Sequence, residues 1–297
     1  MAGLVTEGSL TRTPLSDALS RHSSQNVVAA IEPRGETLRT VCLMCHLDTS
    51  RSGLMFDPRF VRFLNPWLTA QSIACLVQGG EPVLGRTRWG SRLTAASRAL
   101  LAAGLALLIE RELRGEDVPG ANDNASGVAV VGELALELAA DPLEHTRVVA
   151  LMTGCEESGL LGAQSFLRSR YTEGWLFINF DNVGADATLR YTLKEGLVTK
   201  WDCDPGLVRL AGRLAAERPE LGLAPTDGPI GLTYDVTPVL ARGGRGITFV
   251  AGDDGVIPNY HWPTDTTENV DRDALVRAAE TGRAMLRELD AGAADAG

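Results

Sequence analysis

An α/β fold, with a mixed, mostly parallel central sheet flanked by helices, is what this 297-residue sequence predicts. Three observations point there. The short apolar runs are continuous rather than alternating, as in strands buried on both faces. Helical periodicities lie between them, the pattern of strand and helix alternation. Thirty-two glycines and 14 prolines supply the many tight turns such a fold needs.

In order along the chain, Val27–Ile31 and residues 40–45 read as two strands of a hairpin around Pro33-Arg34-Gly35. Residues 50–119 then break the rhythm. The stretch 56–77 is largely apolar, 92–113 is rich in Leu and Ala, and Gly79-Gly80-Glu81-Pro82 separates them. This predicts a helical hairpin inserted into a single domain of residues 1–297. Val130, Leu134 and Leu138 recur at helical spacing behind Asn124 or Ser126, either of which suits an N-cap. Residues 147–153, 175–180 and 246–251 read as further strands. Leu160, Ala163 and Leu167 mark one helix, and Leu275, Ala279, Gly282, Leu286 and Leu289 another. The small residues from 291 onward are expected to fray.

Composition excludes several function classes. Lys+Arg 28 against Asp+Glu 38 gives a net charge of −10, the wrong sign for tracking a phosphate backbone. Aromatics at 5% are too few for a base-stacking platform. Nucleic acid is therefore not an expected partner. Five scattered cysteines suit a reduced compartment. The first residues lack a basic stretch followed by an apolar core, so the cytoplasm is the expected location. The longest apolar run, residues 99–109, falls short of the ~20 residues of a membrane span.

Acids and histidines gather at the strand ends. His46 and Asp48 follow the second strand, Glu156 and Glu157 the third, Asp181 the fourth and His261 the fifth. Asp123 sits at the mouth of a helix. In open α/β sheets the crevice beyond the strands' carboxyl ends binds ligands. Any one such residue is ordinarily just a loop residue; five or more at strand ends in one chain form a mixed N/O donor set that suits zinc. His22 and His145 lie in polar stretches and are assigned to solvent.

The segments His46-Leu-Asp48, Gly120-Ala-Asn-Asp-Asn-Ala-Ser-Gly127, Glu156-Glu157-Ser-Gly-Leu-Leu-Gly162, Asn179-Phe-Asp-Asn-Val-Gly184 and Tyr260-His-Trp-Pro-Thr-Asp265 resemble, in order and character, the motifs of the M28 zinc aminopeptidases. The resemblance runs from about residue 26 to 269, interrupted by residues 50–119. It implies a zinc-exopeptidase-like three-layer sandwich. It also implies two zinc ions per chain bridged by Asp123, with His46 and Asp181 completing one site and Glu157 and His261 the other. Glu156 would be the general base and Asp48 a carboxylate that orients an imidazole ligand. The implied activity is removal of N-terminal residues from peptides with a free amine, by a metal-activated water. The sequence departs at Thr233-Tyr-Asp-Val-Thr-Pro238, where many members carry a Ser-Asp-His-like element. Asp235 is kept, no histidine is present, and Tyr234 is either an oxyanion donor or a buried structural residue.

Other readings compete. A glutaminyl cyclase or N-acyl amidohydrolase could use the same scaffold, and a non-catalytic relic would be expected to have lost part of the set. Cys42-Leu-Met-Cys-His46 matches a haem-attachment pattern but reads as an apolar strand. Cys155 has no histidine left to activate it. Gly243-Gly-Arg-Gly246 lacks the Lys-Ser/Thr ending of a phosphate loop. The apolar insertion is expected to cap the cleft or make a homo-oligomer contact, with membrane-surface contact the minor alternative.

Overall fold

Residues 41–45 are completely buried, so the strand that holds them needs a neighbour on each edge and a layer on each face. The computed structural model supplies both; it describes residue 18 and residues 23–294 apart from 198 and 227–232. Strand β2 (Arg39–His46) pairs in parallel with β3 (Thr146–Thr153) on one side and β4 (Leu176–Phe180) on the other. Strand β9 (Arg245–Ala251) continues the parallel ladder beyond β4. On the outside lie β1 (Val27–Ile31), antiparallel to β3, and β5 (Leu189–Tyr191), antiparallel to β9, with β8 (Leu223–Pro225) parallel to β5. The order is β1-β3-β2-β4-β9-β5-β8, and a separate ribbon joins β6 (Lys194–Glu195) to β7 (Trp201–Asp202).

One expectation fails here. The first two strands do not form a hairpin, because β3 lies between them. The intervening loop is bonded to the approach to β3 instead: Arg34 N–H donates to Leu143 O at 2.9 Å and Leu38 N–H to His145 O at 3.0 Å. The buried strand takes the inner place, and the mostly exposed β1 takes the edge. The three-residue strands β5 and β8 carry too short a pattern to be read from sequence.

Side chains alternate across the sheet. Val41, Leu43 and Cys45 face α3 (Ser126–Ala140), α5 (Pro205–Glu217) and α6 (Arg272–Ala294), packing with Val130, Leu134, Leu207 and Met285. Cys42 and Met44 face the other layer, with Ala163 and Phe166 of α4 (Leu161–Ser169) and Val236, Val239 and Leu240. This is the expected three-layer sandwich. Asn124, not Ser126, receives the first-turn amide of α3: Gly127 N–H donates to its Oδ1 at 2.9 Å. His145 is half-buried before β3, at the opposite end of the sheet from the acid-rich loops. His22 lies outside the described residues.

Residues 50–119 form the helical hairpin. Helix α1 (Leu64–Gly79) and helix α2 (Arg88–Arg114) run antiparallel around a one-turn helix, Glu81–Leu84. Thr87 caps α2, accepting from Gly90 N–H at 3.0 Å. The base is closed by Ser52 N–H donating to Glu116 O at 2.9 Å and Val118 N–H to Ser50 O at 3.0 Å. Among the described residues α2 is the one helix long and apolar enough, by length and composition, to cross a membrane. It is much longer than the uninterrupted run 99–109, because Arg98 is built into it.

The start of α3 is pressed against the end of β4. A Cβ on Gly127 would lie 2.3 Å from Phe180 O, a backbone atom that has no room to move, whereas a Cβ on Gly132 would meet only Met152 Cε at 3.8 Å. Gly127→Ala should destabilise by about 1–3 kcal/mol, the usual range for overpacking. Gly132→Ala should stabilise by a few tenths to about 1 kcal/mol through helix propensity. Urea unfolding of the two variants checks the pair, and equal midpoints would contradict the packing described.

Candidate metal centre

The loops that leave β2, β3, β4 and β9 emerge at one end of the sheet, since His46 pairs with Thr153 and Phe180 with Phe249. Those loops, with the turn into α3 that carries Asp123, bring all five candidate ligands together. His46 Nε2 lies 3.2 Å from Asp123 Oδ1 and 3.6 Å from Asp181 Oδ2. His261 Nε2 lies 3.1 Å from Asp123 Oδ2 and 3.1 Å from Glu157 Oε1. Two trios follow, His46–Asp123–Asp181 and Asp123–Glu157–His261, each with donor atoms mutually within 4.8 Å. Asp123 belongs to both and turns one oxygen toward each.

The donor set fits divalent metal. Asp123 Oδ2 and Glu157 Oε1 are buried without a hydrogen bond, despite their short approach to His261, so that contact lacks hydrogen-bond geometry. Lone pairs stripped of water and left unpaired are costly in a protein interior. A cation between the carboxylates and the imidazoles removes that cost.

Several left-handed residues sit at these turns. Cys155, Asn182 and His261 have φ of 56°, 56° and 50°. Such residues turn the chain sharply as it leaves a strand, at a cost of order 1 kcal/mol each. They aim side chains back over the sheet end.

The supporting bonds differ in part from the sequence reading. Asp48 was expected to orient an imidazole, but His46 Nδ1 faces the Asp48 backbone O at 3.0 Å, while the nearer carboxylate oxygen is 3.8 Å away. The Asp48 carboxylate instead accepts from Glu156 N–H at 3.0 Å and Glu157 N–H at 3.1 Å. It clamps the double-glutamate loop. The backbone carbonyl is the geometrically nearer partner because Asp48 is only two residues from His46 and its side chain is drawn to two free amides.

Four positioning residues escaped the sequence reading. Asp265 accepts from Asn122 N–H at 2.7 Å and Asp123 N–H at 3.0 Å. Asn182 donates to Asp181 Oδ1 at 2.7 Å and accepts from Asn122 at 3.1 Å, so the Asp123 and Asp181 loops are tied together. Ser50 Oγ lies 3.1 Å from His261 Nδ1 and accepts from Arg111 at 2.7 Å, linking α2 to the centre. Asp265 and Asn182 lie inside quoted motifs. Ser50 and Arg111 are 61 residues apart, and no local pattern joins them. His261 is also packed between Tyr260, at 3.9 Å between centroids, and Phe56, at 4.4 Å. Tyr234 is buried against Val250 and Ile257.

Electrostatics follow the crowding of acids. Burial alone would lower the His46 and His261 pKa values, but Asp181 and Asp123 lift the first and Glu157 and Asp123 raise the second to about 9. Burial would raise Asp123, yet the two imidazoles hold it well below the usual carboxylate range. Burial, aided by Glu157, Asp181 and Asp235, pushes Glu156 well up. Burial likewise raises Asp235 to about 7, against the Thr153 hydroxyl that donates to it.

A raised histidine is protonated below its folded pKa and must lose that proton to become a ligand. Zinc uptake by metal-free protein at pH 7.5 should therefore release about two protons, one per imidazole. Affinity should climb with pH until about 9 for His261. Titration calorimetry in buffers of differing ionisation enthalpy checks this. A binding enthalpy independent of buffer would contradict the charge state described.

With this geometry in view, comparisons place the chain. The model of peptidase family M28 matches residues 107–286. That span holds Asp123, Glu156, Glu157, Asp181 and His261, while His46 and Asp48 precede it. The probable lipoprotein aminopeptidase LpqL of Mycobacterium tuberculosis is 28% identical over 184 residues, covering 53% of this chain and 37% of the relative. Aminopeptidase YwaD of Bacillus subtilis is 30% identical over 178 residues, covering 57% and 38%. The chain thus spans under two fifths of either relative. The structure of BSAP, a zinc aminopeptidase from Bacillus subtilis, superposes with a TM-score of 0.57 at 19% identity, covering 90% of this chain and 50% of that one. That likeness carries the fold.

Proposed function

Because the chain belongs to peptidase family M28, we propose that it is a zinc-dependent aminopeptidase with two metal sites that share Asp123. One observation carries the reading most directly: a single buried carboxylate offers one oxygen to each of two His/acid trios, while Glu156 belongs to neither trio.

His46, Asp123 and Asp181 would hold one zinc, and Asp123, Glu157 and His261 the other. Zinc in such a pair supplies polarisation of the scissile carbonyl and a more acidic attacking water. Glu156 takes the proton from that water at its carboxylate and returns it to the leaving amine. Asp48 fixes the loop carrying both glutamates, so that neighbouring side chains serve different purposes. The acid-rich cleft favours a substrate with a free α-ammonium over a blocked one.

Three measurements test the reading. Zinc-loaded protein should hydrolyse aminoacyl anilides and lose turnover with a chelator. Turnover of N-terminal glutaminyl peptides to cyclic product, with anilides untouched, would assign a cyclase instead. Glu156→Gln should keep both metals and lose roughly 10²–10⁴-fold in kcat, the range for a missing general base. Glu157→Gln replaces an anionic ligand with a neutral amide and should lower bound zinc per chain first. The roles are reversed if Glu156→Gln sheds metal while Glu157→Gln keeps it.

A further inference from the structure

The hairpin of α1 and α2 is polar within and apolar without, and we propose that it is an anchor inserted into a lipid bilayer that carries anionic headgroups. Between its helices, Gln71 donates to Leu100 O at 2.9 Å and Gln78 to Thr94 O at 2.8 Å. Thr94, Ser97 and Ala74 are buried there, and a Cβ on Gly104 would lie 2.6 Å from Gln71. Outside, Ile73, Leu76, Leu105 and Leu108 are 53–64% exposed. A helix pair built for water has the reverse arrangement. Small residues and amide side chains at the contact, with aliphatic side chains all round, are what a lipid environment favours.

A second copy does not satisfy this surface. Residues 99–109 contain no polar side chain, so α2 has no face there that suits water. A partner docked on one side would leave the others wet. Only 11% of the most apolar window of α2 is buried.

Length and charge complete the case. Residues 64–80 carry no charge and extend about 25 Å at ~1.5 Å per residue, near the ~30 Å of a hydrocarbon core. Opposite them on α2, residues 93–109 carry only Arg98, which pairs with Glu81 and with Gln78. The remaining charges cluster at the two ends: Asp57, Arg59, Arg62 and Glu110 at the base, where Asp57 pairs with Arg59, and Arg86, Arg88 and Arg92 at the tip. Trp89, 78% exposed with Arg92 over its ring, stands among the tip arginines as tryptophan does at a membrane interface. Residues 57–110 hold six arginines and three acids, a net +3 within a chain of −10. That sign complements anionic headgroups. Arg111, in the last turn of α2, contacts Ser50 beside His261, which sets the metal centre next to the lipid surface.

Flotation with vesicles of phosphatidylcholine and phosphatidylglycerol tests this on the full chain, beside vesicles of phosphatidylcholine alone. A nitrobenzoxadiazole label on the exposed Cys75 of α1, corrected with a labelled Cys75→Ser control, reports depth through nitroxide lipids. The chain should float with the anionic vesicles, and quenching should be strongest from nitroxides deep in the acyl chains. Leu105→Glu with Ile109→Glu should weaken vesicle partition by more than ~100-fold while leaving the circular dichroism and urea transition of the body in place. A chain that stays at the bottom of the gradient overturns the proposal, and a doubled mass by light scattering then identifies a second copy as the occupant. Flotation with quenching only at headgroup depth overturns insertion in favour of surface contact.

Discussion

The two oxygens of Asp123 organise this molecule. One faces His46 and Asp181, the other His261 and Glu157, so four separate loops must end within a few ångströms of one carboxylate. The sheet order serves that requirement. Parallel β2, β3, β4 and β9 send their carboxyl ends the same way, and α3 delivers Asp123 from its N-terminal approach. Asp265 grips the Asp123 amide, and Asn182 couples the Asp181 loop to Asn122. The carboxylate is therefore placed by backbone bonds and not by side-chain freedom. Without a cation, its buried oxygens and the raised histidines form a cluster whose balance of charge depends on protons.

Much of this was legible in the sequence. Buried parallel strands read as continuous apolar runs, so β2, β3, β4 and β9 were visible to within a residue or two. Four of the five candidate ligands stand out because they lie at or beyond the ends of such runs, and Asp123 because it opens a helix within a motif that carries the family resemblance. The partner of β1 was not, since strand pairing across more than a hundred residues leaves no local trace and a short connecting loop suggests a hairpin. Asp48 illustrates a second limit. The resemblance implies that it orients an imidazole, whereas the amides of Glu156 and Glu157 reach it across 108 and 109 residues. Arg111 and Ser50 meet only because the hairpin closes on itself.

The body and the hairpin obey opposite rules of burial. In the body, leucine, valine and phenylalanine fill two layers against the sheet, and the buried His46, Asp123, Asp181 and His261 gather at one end of it. In the hairpin, glutamine, threonine and serine occupy the helix contact while leucine and isoleucine face outward. The sequence showed the apolar content of residues 50–119 but not its direction, because the uniformly apolar stretch 99–109 has no periodicity to reveal which side is covered. The two parts nevertheless meet at Arg111, Ser50 and His261, so the environment of the hairpin and the chemistry of the centre are neighbours.

Anomalous diffraction at the zinc edge from zinc-loaded crystals tests the central claim most directly. Two peaks are expected, ~3.5–4 Å apart as in other paired sites, on either side of the Asp123 carboxylate, one toward His46 and Asp181 and one toward His261 and Glu157. A single peak, or two peaks that do not share Asp123, would contradict the account.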